Sequence, residues 1–189
     1  MAFGTVDSII YGYKSMKSKR VKYKAEGKPF GVFRARLYDV RGLHPDSYGP
    51  GRPPEKAPFL DLTEHNQVTQ VALNGFAKIV NGEGGFTGVP NYCAVGTGAD
   101  DPSIADTQLV AEIGRVVIVP GSKSRTDNAT TMQFYFGPTD GNGNIKEIGA
   151  YIDGTAVANS GTLFDRALLD IVKTNLNALF IDFTLTFSA

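Results

Sequence analysis

Cysteine is nearly absent from this chain. Cys93 stands alone, so no disulfide can form within the molecule and no thiolate cluster can hold a metal. Histidine is almost as scarce. His44 lies among prolines and His65 next to Glu64, at spacings that match no metal motif, and both read as surface or interface residues. No histidine follows Cys93, so a catalytic thiolate there would lack a base, and Cys93 reads as a core residue. There is no Gly-x-Ser-x-Gly elbow for a Ser-His-Asp triad. Gly96-Thr97-Gly98 lacks the Gly-Lys-Ser/Thr ending of a phosphate loop and reads as a turn. Asp100, Asp101 and Asp106 lie close together without forming an Asp-x-Asp-x-Asp-Gly calcium loop, and they read as solvated turn residues. The expectation is therefore no catalytic residue, no metal and no cofactor. No apolar run approaches the roughly 18 residues of a membrane-crossing helix. Met1-Ala2-Phe3-Gly4 leads into basic residues with no apolar stretch before them, which gives an expectation of synthesis in the cytoplasm.

What is abundant is glycine, proline and aromatic residues: 22 Gly, 10 Pro, 8 Tyr and 12 Phe in 189 residues, a composition of turns and strands. The formal net charge of +0 hides a split. Residues 1–60 carry 12 Lys and Arg against 5 Asp and Glu, and residues 61–189 carry 7 against 14. Halves of opposite sign attract, within one chain or between copies. Lys14, Lys17, Arg20, Lys22, Tyr23 and Lys24, followed by Arg34 and Arg36, are the candidate assembly-interface residues. Interleaved Lys and Tyr would also suit nucleic acid. An arm lying on a more acidic neighbouring subunit is the reading preferred over DNA contact.

Three segments are expected: an extended, basic, Pro-rich arm over 1–60, a connection over 61–90, and a compact β domain over 91–189. Arg20 to Lys24 alternates like a surface strand, and Gly31 to Val40 reads as a half-buried strand with Phe33, Ala35 and Leu37 on one face. Residues 42–60 hold five prolines and read as an extended linker. Val68 to Val80 admits a short helix or a hairpin turning at Asn74-Gly75, with the balance towards strand. Beyond Asn91, strands are expected near Tyr92–Val95, Val116–Val119, Thr130–Phe136, Ile145–Ile152, Leu163–Leu169 and Leu179–Phe187, separated by Gly, Asn and Asp turns. Such spacing predicts an all-β fold: an antiparallel, jelly-roll-like β-sandwich with an extended N-terminal arm.

Several short elements, taken in order, resemble small structural proteins of tailed bacteriophages. They are Ala94-Val95-Gly96-Thr97-Gly98, Asp106-Thr107-Gln108-Leu109 with Glu112-Ile113-Gly114-Arg115, then Phe134-Tyr135-Phe136-Gly137. Ile145-Lys146-Glu147-Ile148-Gly149, Leu163-Phe164-Asp165-Arg166-Ala167 and the closing Phe183-Thr184-Leu185-Thr186-Phe187 complete the series. The resemblance spans roughly the last hundred residues. It implies a virion component of the tail, neck or baseplate, made in the host cytoplasm, with identical subunits and other virion proteins as partners and no membrane contact. The alternatives are a capsid decoration protein and a receptor- or glycan-binding adhesin, for which Tyr151 near Asp153 would be a sugar-stacking candidate. A glycan hydrolase would require two of Asp140, Glu147, Asp153 and Asp165 to converge.

Overall fold

The computed structural model describes residues 29–187, with side chains from Gly31 onward. Lys14, Lys17, Arg20, Lys22, Tyr23 and Lys24 fall outside them. Among the described residues, ten strands form two five-stranded antiparallel sheets packed face to face, with one α-helix alongside. The antiparallel β-sandwich expected from the strand spacing is thus what the described residues form.

The first sheet contains β1 (Pro29–Asp39), β2 (Leu60–His65), β6 (Ser124–Thr126), β7 (Ala129–Phe136) and β10 (Asn177–Phe187), in the order β2-β1-β10-β7-β6. The second contains β3 (Gln67–Val68), β4 (Pro90–Gly96), β5 (Glu112–Val117), β8 (Gly143–Ile152) and β9 (Thr162–Lys173), in the order β3-β9-β8-β4-β5. Alternation dictates the inner faces. Phe33, Ala35 and Leu37 of β1, Met132, Phe134 and Phe136 of β7, and Leu179, Ile181, Phe183 and Leu185 of β10 all point into one core. Cys93, Val95, Ile148, Ala150, Phe164 and Ala167 meet them from the second sheet. Cys93 is fully buried, and burial pushes its thiol well above the usual range.

The chain passes between sheets at two corners. On one side β2 continues into β3 through Asn66. On the other, Ile118 bridges Phe134 and the Val119 amide donates to Gln133 as the chain leaves β5.

Three expectations need correction. The β domain does not start at Asn91. β1 runs beside the closing strand over eleven pairs, from Pro29–Phe187 to Asp39–Asn177, and is interior to its sheet, while β2 pairs with β1. Residues 29–60 therefore belong to the sandwich and are not part of an arm, because Phe33, Ala35 and Leu37 can be buried only against both sheets. The Pro-rich stretch is no free linker either. After one 3-10 turn at Pro45–Ser47 it folds back, and Val40, Leu43 and Tyr48 pack on Tyr38, Phe180 and Tyr135 over the outer face of the first sheet. Finally, Gln70–Val80 is a helix, α1, with Thr69 as its N-cap accepting from the Ala72 amide at 3.3 Å. Asn74-Gly75 makes no hairpin. Gly75 is where the Phe86 ring lies on the helix, at a distance where a Cβ would sit 2.5 Å from ring carbons.

Candidate functional site

Gly96–Gly98, Asp106–Leu109, Glu112–Arg115, Glu147 and Arg166 come together on the outer face of the second sheet, whereas Phe134–Gly137 and Phe183–Phe187 belong to the first. The loop between β4 and β5 folds back over that face, and Leu109 seats against Ala94, Tyr151 and Leu163. Beneath the loop lies Glu147, fully buried on β8. Its Oε1 accepts from the amides of Gly98 (3.0 Å) and Ala111 (2.8 Å). Its Oε2 accepts from the Val110 amide (3.0 Å) and from Nε of Arg166 (2.8 Å). Arg166, on β9, then reaches Asp106 at 3.0 Å and the Asp100 carbonyl at 2.9 Å. Gly96 and Gly98 lie so close that a Cβ on either would stand 2.5 Å from Oε1 of Glu147, which is why glycine occupies both positions. Gly98 together with Val110 and Ala111 thus forms a carboxylate clasp built from backbone donors. A buried carboxylate is tolerated when donors and a cation surround it, as here.

A second pair closes the far end of the same loop. Arg115 and Glu112 meet at 2.6 Å with almost no exposure. The guanidinium lies 4.6 Å from the centre of the Tyr151 ring and donates to the Ser160 hydroxyl and to the Thr155 carbonyl. Tyr151 is fully buried, and its hydroxyl accepts from the Leu109 amide at 3.0 Å. It therefore offers no ring to a sugar, contrary to the adhesin expectation. Burial holds its phenol up at about 12.

The four carboxylates considered for hydrolysis do not converge. Asp140 accepts from the Gly137 amide of its own turn, and Asp153 holds Thr87. Glu147 lies under the loop, whereas Asp165 is inside the core, bonded to the Asn66 amide group and the Ala150 amide. Burial raises the Asp165 carboxyl well above the carboxylate range. Asp106 serves Arg166. His44 and His65 are both exposed. No set of three His, Cys, Asp or Glu side chains among the described residues is placed for a metal.

Arg34 and Arg36 project from β1 onto the outer face of the first sheet. Arg34 pairs with Asp61 at 2.6 Å, and Arg36 pairs with Asp182 at 2.6 Å. Gln133 also donates to Asp182, and Thr131 bonds Thr184, so this face is a polar network beside a shallow depression. Asp61 and Asp182 were absent from the sequence-based list. The available signal was position: both lie on the outward-facing register of strands next to β1.

Comparison of the chain with protein-family models, with curated proteins and with solved structures finds no match.

Proposed function

We propose that this chain is a structural component of a bacteriophage virion, in the tail, neck or baseplate, that assembles with copies of itself and with other virion proteins and catalyses no reaction. The observation that carries the reading is the convergence around the two buried arginine–carboxylate pairs. Gly96–Gly98, Asp106–Leu109, Glu112–Arg115, Ile145–Gly149 and Leu163–Ala167 are separate in sequence and share only a phage-like resemblance. In space they interlock, and the charges of Asp106, Glu112, Arg115, Glu147 and Arg166 are consumed in holding the loop to the sheet. Such a motif set maintains the shape of a body. It presents no unsatisfied nucleophile, acid or base to a substrate.

Charge supports association between copies. Residues 1–28 hold 7 Lys and Arg against 2 Asp and Glu, and residues 29–189 hold 12 against 17. The basic surplus thus lies entirely ahead of the sandwich, and the sandwich carries the acidic surplus.

The test is composition of particles. Tail-bearing particles banded by density from a culture expressing the gene should contain peptides of this chain in fixed stoichiometry to the major structural proteins. Presence in the lysate with absence from the particles would overturn the reading.

A further inference from the structure

β2 is the last strand of its sheet among the described residues, and the seam beyond it has an unusual composition. The Asn66 amide donates to the Gly31 carbonyl, so the antiparallel ladder turns the backbone groups of Asp61, Thr63 and His65 to the free side. On the inner face of this edge lie Leu60 and Leu62, only partly covered though packed on the core, and then Glu64. Glu64 is half-buried with no cation paired to it among the described residues, and desolvation raises its carboxyl. An edge normally protects itself with charge or a proline. This one carries charge in Asp61 and Glu64, yet among the described residues it leaves three outward amides without a partner beside two leucines and a carboxylate that no cation meets.

The basic segment fits it in one register. Ser18-Lys19-Arg20-Val21-Lys22-Tyr23-Lys24 alternates and contains no proline. Set antiparallel to β2 with Val21 opposite Leu62, it brings Tyr23 to Leu60, Lys19 to Glu64, Lys22 to Asp61 and Arg20 to Thr63. A shift of two in one direction places Val21 against Glu64; in the other it keeps a cation, Lys17, on Glu64 but sets Lys19 against Leu62 and carries Tyr23 past the end of β2. Parallel pairings that keep Val21 and Tyr23 on the leucines leave Glu64 without a cation. Cross-strand pairs of this kind set register.

The same register says which copy supplies the strand. Tyr23 lies level with Leu60, whereas Val32 lies level with His65 and Pro29 three residues farther on. Eight residues of strand and two strand spacings separate Tyr23 from Pro29, about 28 Å. The six intervening peptide steps reach at most about 22 Å. The chain cannot close on its own edge.

We infer that residues 18–24 of one copy add a sixth strand to the free edge of β2 in a second copy, with Lys19 paired to Glu64. This deepens the assembly reading and rests on it. The contact joins unlike surfaces, so two copies can exchange their segments in a closed pair, or successive copies can propagate the contact into a ring or an open chain.

Sedimentation and light scattering of the full chain, with four variants, test the inference. Lys19→Glu and Glu64→Lys should each weaken self-association about tenfold or more, and the double exchange should restore it. Thr63→Pro removes an outward amide at an edge position where proline is tolerated. It should abolish association while leaving far-UV circular dichroism and the melting temperature near those of the unaltered chain. If copies associate and Lys19→Glu is indifferent, the strand assignment falls while the virion reading stands on particle composition. Loss in Thr63→Pro alone would mean β2 pairs with β2 of another copy, which also overturns it. A full chain that stays monomeric at every concentration overturns it outright.

Discussion

Glu147 shows why a charged residue can be the least exposed in a fold. Its carboxylate receives three amide protons and one guanidinium, so removing it would leave Arg166 buried with one partner fewer and the loop over residues 97–111 without its anchor. Glu147→Ala should cost about 3–5 kcal/mol in urea unfolding, and Glu147→Gln distinctly less because an acceptor oxygen stays. Asp165 shows the opposite solution. It sits in the core with an amide group and one backbone donor but no cation among the described residues, and burial lifts its folded carboxyl well above its unfolded value, which is near 4. A raised acid is compatible with the fold while protonated. Its contribution is therefore intact below about pH 4 and declines as pH rises from there towards the folded value. Asp165→Asn cannot ionise, so between pH 4 and 7 its unfolding free energy should fall less with pH than that of the parent. Equal slopes would show that Asp165 is charged in the folded protein.

At the scale of elements, β1 decides where the molecule begins. It is flanked by β2 and β10, and three of its side chains are in the core. A chain of residues 29–189 should fold with the full chain's circular dichroism spectrum and a cooperative urea transition. A chain of residues 61–189 should show no cooperative transition, because β10 would lose eleven paired positions and the core Phe33, Ala35 and Leu37. Truncation at 28 is therefore the informative way to ask what the basic segment does. Truncation at 60 confounds assembly with folding.

At the scale of the whole molecule, charge separates along the chain: seven cations against two anions ahead of the sandwich, and an acidic surplus within it. Several cations of the sandwich, Arg34, Arg36, Arg115 and Arg166 among them, are already paired at 3.0 Å or less. Association driven by the N-terminal segment should weaken as salt rises from 0.05 to 0.5 M, since the screening length shrinks from beyond about 10 Å to under about 5 Å. The dissociation constant measured by sedimentation should rise across that range, and residues 29–189 alone should show no salt dependence of mass.

Much of this architecture was legible in residue order. Leu179 to Phe187 alternates because one face of an antiparallel strand is core and the other is not, and period two appears in sequence wherever that holds. The strands at Ala129–Phe136 and Gly143–Ile152 were legible for the same reason, and Cys93 was legible as core from its apolar neighbours. Local pattern failed where the deciding contact is distant. Gln70–Val80 is helical because Thr69 caps it and Phe86 uses the space at Gly75, neither of which a hairpin reading of Asn74-Gly75 contains. Residues 40–59 cover a sheet because Tyr38, Tyr135 and Phe180 come together from three strands. Glu147 with Arg166, and Glu112 with Arg115 under Tyr151, became one constellation only when β4, β5, β8 and β9 lay side by side. Composition and periodicity by themselves determined an all-β sandwich. Which charges neutralise each other, and which edge stays open, was decided by the tertiary structure, because Coulomb and hydrogen-bond partners are chosen by distance in space and not by separation along the chain.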